Sequence, residues 1–168
     1  AHGLRVAVLD IPKCGPPREL NGIHLVDWLV HGRYLHAPAS HPPEIAAQVL
    51  ERFGAAPPSR CGVETGTLDD AGVHDTVANL RAGVARKRAA AAHYLGAGQW
   101  DLFLVGFKAA HCACHQLWDL ADPRHPGHDP LRTARLGDPM HTLLAELDAA
   151  IGELVDAAGA GCELVVFS

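Results

Sequence analysis

The chain has 168 residues, of which 48% are hydrophobic and 20% charged, with a formal net charge of -5. This composition predicts a folded domain and excludes disorder or a fibrous repeat. The acidic balance excludes a nucleic-acid backbone as main partner, since that affinity needs clustered Lys and Arg.

The one basic run, Arg86-Lys87-Arg88, falls inside a helical pattern and reads as a solvated face. No apolar run approaches the roughly 20 residues that span a bilayer, and Ala1-His2-Gly3 does not open a signal peptide, so a soluble cytoplasmic chain with no membrane partner is expected. Five unevenly spaced cysteines, Cys14, Cys61, Cys112, Cys114 and Cys162, suggest reduced thiols.

Leu4 to Leu9 is an apolar run closed by Asp10 and Pro12, which predicts a buried strand ending at Asp10. Cys14 to Asn21, with Pro16-Pro17, reads as a loop. Ile23 to Trp28 reads as a short strand or edge segment. Ser40-His41-Pro42-Pro43-Glu44 signals a helix start, and Ile45, Val49, Leu50 and Phe53 repeat at helical spacing up to Gly54. A loop is expected over Ala55 to Gly72.

A long helix is predicted from His74 or Asp75 through Val77, Leu80 and Val84 to Leu95, closed by Gly96 and Gly98. Leu102 to Phe107 is the strongest central-strand candidate. Residues 123 to 130 look irregular. Asp138-Pro139 opens a last helix with Leu143, Leu144, Leu147, Ile151, Leu154 and Val155 on one face, and Leu164 to Phe167 reads as a final buried strand. The order of elements predicts an α/β fold with a mostly parallel sheet sandwiched by helices. The chain reads as one domain or fragment over 1–168, with 14–73 a loop-rich, cap-like segment and 100–130 the metal-site region.

Twelve histidines are the compositional anomaly, and four of them, His111, His115, His125 and His128, lie between 111 and 128. His111 and His115 are spaced i, i+4, which on a helix turns both imidazoles to one face where they can converge on one ion. A zinc site needs three or four ligands, so a third must come from Asp10, His125, His128 or a residue outside the chain. Cys112 and Cys114 read as small semi-buried thiols. His125, His128 and Asp129 either line a pocket as substrate contacts or sit in an exposed turn-rich loop. His24, His31, His36, His41, His74 and His93 read as surface or satisfied core residues. There is no Gly-x-Ser-x-Gly elbow and no phosphate-binding Gly-x-x-x-x-Gly-Lys. The glycines at 159 and 161 read as a helix stop.

Trp100-Asp101-Leu102-Phe103-Leu104-Val105, then His111-Cys112-Ala113-Cys114-His115-Gln116-Leu117-Trp118, then Asp122-Pro123, His125-Pro126 and His128-Asp129-Pro130 resemble the middle of bacterial type I phosphodiesterase and nucleotide pyrophosphatase-like proteins of the alkaline phosphatase superfamily. The likeness extends through Asp10-Ile11-Pro12-Lys13, Leu20-Asn21-Gly22, Val26-Asp27-Trp28 and Gly137-Asp138-Pro139. It implies an alkaline-phosphatase-like core, incomplete at both ends, from a metal-dependent phosphoester hydrolase acting on a small-molecule phosphoester.

The resemblance further implies that His111 and His115 are ligands of a divalent metal, zinc or manganese, and that His125 and His128 face substrate. The family's Thr or Ser nucleophile would precede this chain, and its Asp-His-Gly motif would follow the strand at Val166-Phe167-Ser168. Where relatives carry an acid, a glycine and a histidine, this chain has Ala109, Cys114 and Asp119. Alone it is therefore expected not to turn over. The alternatives are a degenerate, non-catalytic binding or assembly module of the same fold and a simple histidine-based metal-binding protein. The oligomeric state is not legible.

Overall fold

A computed structural model of the chain describes residues 3–30, 35, 37–58 and 67–167. His31, His36, Cys61 with the rest of 59–66 in the loop expected over 55–72, and Ser168 lie outside the described residues. The elements are β1 (Val6–Leu9), β2 (Gly22–Val26), β3 (Ala39–His41), α1 (Glu44–Phe53), α2 (Asp70–Gly96), β4 (Leu102–Val105), α3 (Ala109–Ala121), α4 (Pro130–Leu136) and α5 (Pro139–Ala158).

The strands form one sheet in the order β3-β2-β1-β4. β1 is parallel to both β2 and β4, with Val6 opposite Gly22 and Leu102, while β3 is antiparallel to β2. The chain is thus α/β with a mostly parallel sheet, as its element order predicts. The segment 14–73 supplies β2, β3 and α1 to this sheet layer.

Alternation along the strands sends Ala7, Leu9, Ile23 and Leu25 to one face. There they pack with Ile45, Ala46 and Val49 of α1, Ala90, Ala91 and Tyr94 of α2, and Leu154 of α5. On the other face Val6, Val8 and Leu104 are only half-buried and Leu102 is exposed. Cys14 Sγ lies 3.5 Å from His24 Nε2, so the β1–β2 connection crosses this second face without a helix. The expected helical cover is therefore present on one face among the described residues.

A second core joins helices to helices: Val73, Leu80 and Val84 of α2, Cys112, Ala113, Leu117 and Leu120 of α3, and Met140, Leu143, Leu147 and Ala150 of α5. The α2–α5 seam carries Arg81–Glu146 and Arg88–Glu153 ion pairs, seven residues apart on each helix, so the two helices run parallel.

Several sequence expectations are corrected. α2 begins a turn early, because the Asp69 carboxylate accepts from Gly72 N at 2.7 Å and caps the helix there. Among the described residues β4 is an edge strand, not a central one, and Leu102 is 46% exposed. α4 was not expected; Asp129 caps it by accepting from Leu131 N, with Pro130 in its first turn. Leu164 to Phe167 forms no strand and is exposed throughout. Lys87 is not on a solvated face: its side chain is 2% exposed.

Candidate functional site at the carboxyl edge of the sheet

The connections from β1 diverge at its carboxyl end, one neighbour being β2 and the other β4, and open α/β sheets bind ligands in the crevice such a divergence creates. Asp10, immediately after β1, holds this edge together in a left-handed conformation with φ 59°. Its carboxylate accepts from Trp28 N at 2.8 Å and Leu29 N at 2.6 Å, beyond the end of β2, and from the Lys87 ammonium of α2. Lys87 Nζ also donates to Gly106 O at 3.1 Å and lies 5.7 Å from the Trp28 ring centre. Burial pushes the Lys87 pKa down, and the Asp10 charge opposes that shift. A Cβ on Gly106 would sit 2.6 Å from Asp10 O, so the loops after β1 and β4 touch and only glycine fits between them. Both oxygens of Asp10 accept hydrogen bonds, so it serves as a clamp on the edge.

α3 follows β4 after three intervening residues and carries the histidine pair. Ala109, Cys112, Ala113, Leu117 and Leu120 turn inward, and His111, Cys114, His115 and Trp118 turn outward. The i, i+4 spacing does what it predicts: the His111 and His115 rings stand side by side, centres 4.5 Å apart and planes tilted by 50°. The two cysteines diverge, with Cys112 fully buried and Cys114 exposed. Cys14, Cys112, Cys114 and Cys162 are all free thiols.

His125 and His128 shape the turn after α3. His125 Nδ1 accepts from Gly127 N at 3.1 Å, and His128 Nδ1 lies 2.8 Å from Asp119 O at the end of α3. Asp122 caps this turn, bound in two-pronged fashion by Arg124, which with its backbone N–H holds the Asp122 carboxyl down at about 2. Arg132 of α4 anchors the turn to the helices, donating to Asp119 and Asp70 and to Leu68 O. Among the described residues no three of His, Cys, Asp or Glu are placed to hold one metal ion.

On the sheet's second face, His24 of β2 faces Cys14 and pairs across the ladder with His41 of β3. Burial, then the neighbouring His41, lowers the His24 pKa. Burial, then the Asp27 and Asp10 charges, raises that of Cys14, so this thiol and imidazole stay neutral near pH 7.

The fold and edge define an open, mostly parallel α/β domain with a histidine-bearing helix that follows the carboxyl end of β4. Comparison with models of known protein families, with curated proteins and with solved structures finds no match. The Lys87–Asp10 clamp escaped sequence reasoning, although a signal existed: Lys87 falls on the apolar stripe Leu80, Val84, Ala91, Tyr94 of α2.

Proposed function

We propose that this domain is the sheet-and-helix part of a metal-dependent phosphoester hydrolase with an alkaline-phosphatase-like core, and that His111 and His115 supply two ligands to a divalent ion, zinc or manganese. The observation that carries this reading is the paired presentation of the two imidazoles on the outward face of α3, just past the carboxyl end of β4. The helix's other face is embedded in the core, so the pair is held in place before any ion arrives.

The donor set fits such an ion only in part. Two imidazoles satisfy half of a tetrahedral zinc shell, and no third donor joins them among the described residues. No catalytic step is therefore derived through a metal. On this reading His125 and His128 border the substrate side of the pair, the substrate is a small phosphoester, and the domain does not turn over by itself.

The test is calorimetric titration of zinc and manganese into the chain and into its His111→Ala, His115→Ala double variant. Weak binding that vanishes in the variant supports the reading. Absence of binding in the parent favours a non-catalytic binding or assembly module. Metal-dependent hydrolysis of bis-nitrophenyl phosphate by the isolated chain would contradict the claim that it is not catalytic alone.

A further inference from the structure

α3 differs from the other described helices in what it shows to solvent. α1 exposes Glu44 and Glu51, α2 Arg81, α4 Arg135, and α5 Asp148 and Glu153. The exposed residues of α3 are His111, Cys114, His115 and Trp118, with no Lys, Arg, Asp or Glu among them. Their i, i+3, i+4, i+7 spacing makes one continuous stripe. Asp119, the helix's single charged residue, is half-buried and bound to Arg132. Trp118, at one end of the stripe, is 43% exposed. A face without charge that carries a large aromatic ring has the composition of a protein interface, not of a solvated surface.

The same stripe holds half of a metal shell. The His111 and His115 rings stand 4.5 Å apart, and among the described residues no third His, Cys, Asp or Glu joins them at one ion. Zinc in a structural site takes four ligands in a tetrahedron. A two-fold axis through the ion brings in the same two imidazoles from a second copy, which completes that shell in a self-complementary contact. Charge agrees with this placement. Each copy carries a formal net charge of -5, so two copies repel one another in general. The α3 stripe presents no acid to its own image, and the ion sets two positive charges between the copies.

We propose that the His111–His115 pair binds one zinc ion between two copies of this chain, two imidazoles from each, and that the contact covers Trp118 of both. Zinc bridging rests on the reading that His111 and His115 are metal ligands, and adds the partner that completes their shell. Four nitrogen donors leave no position for water, so the bridged site is closed and structural. That agrees with a domain that does not turn over by itself.

The test is titration of zinc into the metal-free 168-residue chain, with the mass in solution followed by light scattering. The expected result is a rise from 17.8 kDa to about twice that value, complete at one zinc per two chains and reversed by EDTA. Cobalt in place of zinc is expected to show the intense visible absorption of a four-coordinate ion at the same stoichiometry. Both readings are made on the parent chain and do not depend on a variant folding. The His111→Ala, His115→Ala double variant is expected to stay monomeric with zinc and to keep the parent's circular dichroism, since both side chains are exposed. Uptake of one zinc per chain by a parent that stays monomeric, lost in the variant, overturns the bridge and leaves the ligand reading standing. No zinc uptake by the parent overturns both. The weak absorption of a six-coordinate cobalt ion overturns the four-nitrogen shell. A dimer that forms equally in EDTA, or a zinc-dependent dimer that survives in the folded double variant, also overturns the bridge.

Discussion

Lys87 and Asp10 form an ion pair in which the two side chains are 2% and 0% exposed, and that pair joins the longest helix to the loops at the carboxyl edge of the sheet. Removing one partner leaves the other buried and uncompensated. Lys87→Ala is expected to cost about 3–5 kcal/mol in urea denaturation. A loss below about 1 kcal/mol would show that water reaches Asp10 in the folded protein. In the double variant Lys87→Met, Asp10→Asn the loss should be smaller, since neither side chain then needs a counter-charge.

Leu143 of α5 is fully buried between α2 and α3. Leu143→Ala is expected to destabilise the fold by about 2–5 kcal/mol, the range for a large-to-small change in a core that cannot collapse around the gap. Thermal melting of the variant measures this. A shift within error of zero would mean that the helical core is loosely packed.

Arg132 reaches three acceptors on α2, α3 and the segment before α2, while α4 itself buries no residue. Arg132→Lys cannot reproduce that fork of donors. It is expected to speed amide exchange across 131–136 with little effect on β1, and Arg132→Ala to cost about 1–3 kcal/mol by leaving partners unsatisfied. Unchanged exchange in α4 under both substitutions would show that the helix is held by something other than Arg132.

The buried His24 predicts a specific acid sensitivity. Its folded pKa lies below the ordinary 6.5, first through burial and then through His41. As pH falls through 6.5 the unfolded chain binds a proton that the folded chain refuses, so stability is full above that value and declines below it. The groups facing His24 are Cys14 and His41, with the Asp27 charge acting on Cys14. The urea midpoint should drop between pH 7.5 and 5.5, and the drop should be smaller in His24→Gln. An equal drop in both proteins would assign the effect elsewhere.

Much of the fold is written locally. The apolar run before Asp10, the proline-led start of α1 and the Asp138-Pro139 start of α5 are short-range signals, and the elements follow them. The side-by-side histidines follow from spacing alone, once 109–121 is helical. A strand's rank in the sheet is not local, and nothing within Leu102–Val105 distinguishes edge from centre. The basic neighbours of Lys87 point to a solvated face, whereas its burial follows from its place on the apolar stripe of α2. α4 carries an Asp-Pro start like that of α5, but seven residues are too few for a periodic pattern to emerge among the flanking prolines. The role of Asp10 as a clamp is not legible because its partners, Trp28, Leu29 and Lys87, are remote in sequence.

The 27-residue helix α2, about 40 Å long, passes through both cores. Its first half walls the helical core with Val73, Leu80 and Val84, and its second half covers the sheet with Ala90, Ala91 and Tyr94. Phe107 packs against both. Neither core can come apart without stripping a wall from the other, so the molecule should melt with one midpoint rather than two. The histidine face of α3 then loses its footing at the same temperature as the sheet it stands beside.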